Sequence, residues 1–229
     1  GADRADWIFA LIRTDFKATK HEGISFIVFD MESEGVSVQP ITLISGISDF
    51  CQTFFDDVRV PKHNLIGNPG EGWTVGKRLL QYERTSIGGV GGARQKVSSL
   101  DETAVQYIGR KGERIADDNL RTEVTAFNMD QAAYQLTMKR AAEEATNNKA
   151  PTFMSSLFKL YGTEQNIRRN DMTISMMGSQ GLGWSGESFE PHERGQTRGW
   201  LRSKANSIEG GSSEVMRNII AKRVLGLPD

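Results

Sequence analysis

A change of hydrophobic period near residue 70 constrains this chain of 229 residues more than any other feature. Before it, apolar residues come in short runs bounded by turn residues: Trp7 to Ile12, Ile24 to Phe29, Val36 to Val38, Ile41 to Ile44, and Phe50 to Val60. Runs of this length rich in Ile, Val and Phe read as strands, and the first two, of which Trp7 to Ile12 is continuously apolar, read as buried strands. Ser33-Glu34-Gly35 reads as a turn, and Pro40 as a break between two runs. Four or five strands at this spacing suggest a fragment of a sandwich or barrel. A chain that opens directly on a strand, with too few strands to close a barrel, reads as a piece of a larger protein.

After Gly67-Asn68-Pro69-Gly70 the spacing becomes helical, and no strand-like run recurs. Trp73, Gly76, Leu79 and Leu80 share one helix face, and Leu120 to Asn147 carries Phe127, Ala132, Tyr134 and Leu136 among charges. Met154, Leu157, Phe158 and Tyr161 follow the i, i+3, i+4, i+7 pattern of a helix that Gly178 ends. A glycine-rich segment, Gly178 to Gly186, intervenes. The last helix opens at Ser212 or Ser213, whose hydroxyls can cap it, and stops at Gly226-Leu227-Pro228. The expected fold class is therefore α+β: a partial antiparallel β domain over 1–69, followed by an up-down four-helix bundle over 70–229. The stripe Met154, Leu157, Phe158 and Tyr161 exceeds what one short bundle can bury, which predicts self-association.

Charge and cysteine usage remove several functions. With 28 Lys+Arg against 29 Asp+Glu, no single-sign excess exists to hold nucleic acid, and no long apolar run exists to span a membrane. The single cysteine, Cys51, excludes an internal disulfide framework and fits a reducing, cytoplasmic compartment. His21, His63 and His192 are far apart and lack carboxylates at ligand spacing, so no metal is expected. The glycine cluster Ser86 to Arg94 lacks the third glycine and the preceding strand of a dinucleotide loop, and reads as a close helix–helix approach. No Gly-x-Ser-x-Gly elbow supports hydrolase chemistry.

Carboxylate chemistry is what remains. Glu83 follows Leu79 and Leu80 on a helix, where desolvation would raise its pKa toward that of a base; the competing reading is an exposed helical glutamate. Glu209 precedes Gly210-Gly211-Ser212-Ser213 at a helix mouth, where amides and hydroxyls can bind an anion or a carbonyl oxygen; the competing reading is an ordinary loop acid. Between Glu193 and Arg223, seven Lys/Arg stand against three Glu, as fits either a solvated face or a phosphate-binding one.

Several stretches in order resemble the acyl-CoA dehydrogenase family: Gly1 to Phe9, His21 to Phe26, Gly35 to Ile41, Phe54 to Pro61, Asn64 to Gly67, Gly70 to Trp73, Tyr82-Glu83-Arg84, and Ile208 to Pro228. The resemblance covers nearly the whole chain. It implies the C-terminal part of an enzyme with an N-terminal helical domain, a central β domain and a C-terminal bundle. It further implies α,β-dehydrogenation of an acyl-CoA thioester with hydride transfer to FAD, an electron-transferring flavoprotein as oxidant, and a homodimer or homotetramer. Members place the base either in the loop before the last helix or on the first bundle helix, immediately before an arginine. Glu83-Arg84 fits the helix version without a gap, whereas Gly210 falls where the loop base would stand and leaves Glu209 one residue early. Glu83 is thus the first choice of base and Glu209 the alternative, with Arg84 and Gly210 as substrate-binding residues. By the same resemblance Gly178, Gln180, Gly181, Ser212 and Ser213 are cofactor-binding. The turn Gly178-Ser179-Gln180-Gly181 departs from the family's Gly-Gly pair, and its Arg-x-x-Phe-Gly motif is missing between Leu100 and Asn128. Two other functions fit the architecture: a non-catalytic partner subunit of a mixed complex, which needs no carboxylate at either base position, and a DNA-binding relative, which needs a basic surface.

Overall fold

The computed structural model describes residues 1–85, 99–146 and 154–228, with 81, 83–85, 145 and 146 described in their backbone only. The chain divides into two compact units, Gly1–Glu83 and Arg84–Asp229.

The first unit holds five strands and a helix: β1 (Trp7–Arg13), β2 (Ile24–Asp30), β3 (Val36–Ile41), β4 (Phe50–Phe55), β5 (Leu65–Ile66) and α1 (Gly72–Thr85). β1, β2 and β5 form an antiparallel sheet in that order, with Trp7 opposite Asp30 and Arg13 opposite Ile24. β3 and β4 form an antiparallel pair from Val36 opposite Phe55 to Ile41 opposite Phe50. An edge-on contact of Phe29 and Phe55, centroids 5.5 Å apart, joins the two sheets. Beside the first sheet opens an apolar cleft of about 720 Å³, lined by Ile12, Ile27, Phe29, Phe55, Val58 and Leu65 among others.

Two expectations about the strands need correction. Ser25, Phe26 and Phe29 of β2 are buried, but Trp7 and Phe9 of β1 are 56% and 53% exposed, because β1 is the outer strand of its sheet and pairs with β2 alone. Pro40 does not split a strand: it lies within β3 opposite Cys51, on a two-stranded ladder whose outer side asks for no N–H donor. The run Ile41 to Ile44 forms no strand of its own: Ile41 ends β3, and Ile44 is exposed.

α1 rests on the first sheet through its glycines. A Cβ at Gly72 would overlap the Ser25 and Phe26 backbone, and one at Gly76 would meet Leu11 at 3.2 Å. The Gly70 amide donates to Ser25 Oγ at 3.1 Å, and the same hydroxyl meets Thr14 Oγ1 at 2.6 Å, so a fully buried serine ties the helix entry to β1 and β2. Trp73 stacks on His21 with centroids 4.1 Å apart, whereas Leu79 and Leu80 are exposed.

The second unit is helical: α2 (Leu100–Tyr107), α3 (Asp118–Thr146), α4 (Met154–Met177), α5 (Pro191–Ser203) and α6 (Ser213–Arg223). With the antiparallel β part, this is the α+β architecture expected. One short hairpin, β6 (Arg110–Lys111) and β7 (Arg114–Ile115), had no apolar run to announce it; left-handed Gly112 opens its two-residue turn, and left-handed Gly109 leads into β6. α3 buries Val124, Phe127, Tyr134 and Ala141, with Leu120 and Met138 half-buried, at alternating spacings of four, three and seven that keep one face inward. Of the apolar residues read in this helix from sequence, Ala132 and Leu136 are exposed. One core joins Leu100, Ala104, Ile115, Val124, Phe127 and Met176; a second joins Tyr134, Ala141 and Phe158, with Met138 and Met154 packed against it. The stripe expected to drive self-association therefore packs inward for the most part, since α3 covers Phe158 and Met154, and Tyr161 lies against Tyr134 with centroids 5.4 Å apart.

α4 is the hub: α2, α3, α5 and α6 all pack on it. Among the described residues no helix is long and apolar enough to cross a membrane.

Candidate functional site

The residues singled out from sequence fall into three places. Glu83 lies in the last turns of α1 and closes the first unit, and Arg84 opens the second; both side chains are outside the described residues. The glycine cluster at 86–94 lies outside the described residues as well. The other candidates all belong to the helical unit, on the turn after α4 and the turn before α6.

After α4 the chain tightens into a 3-10 turn, Gly178–Leu182. Gly178 takes φ +55°, a left-handed conformation that ends the helix at no steric cost. Gly181 is buried, and a Cβ there would meet the Ile174 carbonyl oxygen at 2.9 Å. Thr197 of α5 donates its hydroxyl to the Gly181 carbonyl at 3.1 Å, pinning the turn to α5. Gln180 is half-buried, and its Oε1 is enclosed without a hydrogen-bond partner among the described residues.

Before α6, Gly210 and Gly211 have φ of +65° and +100°. A Cβ at Gly211 would lie 2.6 Å from Met216 Cε, a fully buried side chain, so both conformation and space call for glycine there. Ser212 caps α6, its Oγ accepting from the Val215 amide at 3.3 Å. Ser213, at the first helical position, is 5% exposed, and its Oγ is enclosed and unpartnered among the described residues. Buried polar atoms are nearly always hydrogen-bonded, so Gln180 Oε1 and Ser213 Oγ carry acceptor capacity that the described residues leave unused. The Gln180 and Ser213 oxygens, beside glycine turns that bare their backbone, fit a group rich in hydroxyl and N–H donors, as FAD is.

Glu209 is held in place. One carboxylate oxygen accepts from Arg202 Nη2 of α5 at 2.9 Å and the other from Asn206 Nδ2, and both partners of the ion pair are half-buried. Asn206 in turn accepts from Asn166 Nδ2 of α4 at 2.7 Å through its Oδ1, and from Lys159 Nζ of α4 at 3.0 Å through its carbonyl. Lys159 is fully enclosed, and burial lowers its pKa against the opposing influence of Glu209, Glu164 and Glu214. Nothing in the chain's pattern announced this network. Its one trace in the sequence is the recurrence of Ser156, Lys159 and Thr163 at inward-facing spacing on a helix where apolar residues are expected.

Most cations of the basic stretch have partners within the fold. Arg194 donates to the carbonyls of Gly186 and Phe189, Arg198 to that of Trp184 while lying over its ring, and Lys204 and Arg217 pair with Asp171 and Glu164. Such partners leave these cations capping and cross-linking helices. Among the described residues no group of three or more His, Cys, Asp or Glu could hold a metal.

The fold is a small antiparallel β part followed by a helical unit built around α4, and comparison gives the family. Residues 70–225 match the acyl-CoA dehydrogenase C-terminal domain, and the chain belongs to the acyl-CoA dehydrogenase family. It is 32% identical to acyl-CoA dehydrogenase IpdE1 of Mycolicibacterium smegmatis over 98% of its own length and 54% of that protein's. It is 28% identical to IpdE1 of Mycobacterium tuberculosis over 99% of its length and 57% of that protein's. Among solved structures, the Tcur3481-Tcur3483 steroid ACAD superposes with a TM-score of 0.86 at 26% identity, covering 100% of this chain and 58% of that one. The chain thus spans about half the length of the curated relatives it matches.

Proposed function

We propose that this chain is the C-terminal part of an FAD-dependent acyl-CoA dehydrogenase, with a domain boundary at 69/70 and Glu83 as the base. The observation that carries the reading is the family match over residues 70–225, which opens at that boundary and includes both glutamate positions. The engagement of Glu209 supports the choice of Glu83, since a carboxylate paired with Arg202 and Asn206 through both oxygens must break two contacts before it can take a proton.

In this reading Glu83 removes the α-proton of the acyl thioester, and Arg84 borders the substrate. The amide of Gly210, in a left-handed turn, donates to the thioester carbonyl as negative charge develops on it. Gly178, Gln180 and Gly181 on one turn, with Ser212 and Ser213 on the other, hold FAD. When bound, FAD supplies the acceptor for the hydride leaving the β-carbon. An electron-transferring flavoprotein would reoxidise it, and the assembly would be a homodimer or homotetramer.

The test is the absorbance of the intact protein before and after adding a panel of acyl-CoAs, including one with a steroid ring system because the superposed protein is named a steroid ACAD. Bleaching of a flavin band is expected, and a spectrum unchanged by every member would refute the activity. Glu83→Gln keeps side-chain volume but not proton acceptance and should slow bleaching by roughly two to four orders of magnitude, with Glu209→Gln costing far less. A reversed ranking would make Glu209 the base.

A second reading, a partner subunit in a mixed assembly, has support from the two designations, Tcur3481 and Tcur3483, paired in the name of that same protein. It predicts bleaching only after a second, different chain is added, and no effect of Glu83→Gln on the rate.

A further inference from the structure

Lys159 is the most costly side chain in the helical unit that the proposed chemistry does not use. It is 0% exposed, on the α4 face that packs against α6 and the segment 204–207. No carboxylate lies within 4 Å of its ammonium among the described residues, so its charge is enclosed without an ion pair. An enclosed, unpaired charge is disfavoured unless hydrogen bonds compensate it, and the compensation here is directed at a backbone atom, the Asn206 carbonyl, at 3.0 Å. A methionine would fill the same space without the cost.

That carbonyl lies three residues before Glu209 and four before Gly210. Asn206 is also the residue whose side chain grips Glu209, while Asn166 grips Asn206 from further along α4. The segment has no other regular framework: it runs from a short 3-10 turn, Lys204–Ser207, through two left-handed glycines to the cap of α6. Two consecutive left-handed glycines have wide conformational freedom, so their position is set by what holds the residues before and after them. Behind them Met216 and the Ser212 cap do so; ahead of them Arg202 and Asn206 hold the Glu209 carboxylate and the Ala205 carbonyl accepts from the Ile208 and Glu209 amides, and Asn206 is itself tied to α4 through Lys159 and Asn166.

We propose that Lys159 is a positioning residue: through the Asn206 carbonyl it holds the turn Glu209–Gly211 at the distance from α4 that brings the Gly210 amide to the substrate carbonyl. The consequence for catalysis rests on the function proposed above; the anchoring of the turn does not. Burial lowers the ammonium's pKa, against the raising influence of Glu209, Glu164 and Glu214.

The two parts separate in one set of measurements on the intact protein with FAD bound. In Lys159→Met, amide hydrogen exchange should rise across residues 206–213 and stay unchanged in α3 and α4, and flavin bleaching by acyl-CoA should slow by roughly ten- to a hundredfold, as expected for a donor displaced by about an ångström. Lys159→Gln keeps a neutral N–H donor on a shorter arm and should recover part of both losses. Exchange that rises uniformly, or does not rise, overturns the anchoring. Bleaching at the wild-type rate with exchange raised in 206–213 overturns the catalytic consequence alone. If wild type itself never bleaches, the proposed function fails, while the exchange data still decide the anchoring. Should Lys159→Met not accumulate folded, Lys159→Gln is read directly: exchange and bleaching both at wild-type level with its donor shortened would overturn the proposal, and a rise confined to 206–213 would uphold it.

Discussion

A single phenol shows how one residue joins two elements and reports on pH. Tyr107, at the end of α2, donates to Glu193 Oε1 of α5 at 3.0 Å and lies 3.1 Å from His192 Nε2. Glu193 is buried, and its other oxygen accepts from the Glu190 amide at 2.9 Å, so the carboxylate both caps α5 and receives α2. Desolvation first, then the bond to Glu193 and its charge, push the Tyr107 hydroxyl up from 10.0 to about 12. Between those two values the folded state binds this proton and the unfolded state does not, so stability falls as pH rises through that window and is fully present below it. Tyr107→Phe should flatten this alkaline decline. Urea midpoints at a series of pH values from about 9 to about 12 check it; a decline equal in wild type and variant would show that the phenol is not its source.

At the scale of elements, the helices owe their ends to local chemistry and their faces to spacing. α2 opens with a reciprocal cap in which Ser99 Oγ accepts from the Glu102 amide at 3.1 Å and Glu102 Oε2 accepts from the Ser99 amide at 2.8 Å. Ser99→Ala should cost about 1 kcal/mol, readable as a lower urea midpoint at unchanged slope. α3 was legible as a helix because its buried positions recur with helical period, but not its inner face at every residue: Leu136 is outside and Met138 is the half-buried one. A reading by amphipathic period places a stripe only to within the width of one residue when Ala, Met and Leu alternate on both sides of it. The hairpin β6–β7 escaped because its four residues are mostly charged, and a turn opened by left-handed Gly112, not hydrophobicity, makes it.

Across the whole molecule, stability of the helical unit is concentrated where α2, α3, α4 and β7 meet. Phe127 is 3% exposed in that core, with the Arg168 guanidinium 5.7 Å above its ring. Phe127→Ala should destabilise the helical unit by about 3–5 kcal/mol, seen as loss of helical circular dichroism at lower urea, and an effect below about 1 kcal/mol would mean the core re-collapses around the gap. The β unit is built differently. Its outer strand leaves Trp7 and Phe9 exposed and an apolar cleft opens beside its first sheet, so its apolar residues exceed what the unit itself covers.

Fold class, the position of nearly every long element and the cap of α6 could be read from sequence, because period, turn glycines and capping serines act over a few neighbouring residues. The candidate residues on the two glycine turns could be named for the same reason, and the resemblance to the family rested on contiguous motifs. What only the tertiary structure decided is which charges are spent and which are sheltered. Glu209 and Arg202 are seven residues apart with nothing local to pair them, and they meet because the chain turns back on α5 before α6. Lys159 looks like any helical lysine until α6 and the segment before it close over it, 47 residues later in the chain, at Asn206. Burial is a property of what arrives from far along the chain, and no window of sequence holds that information.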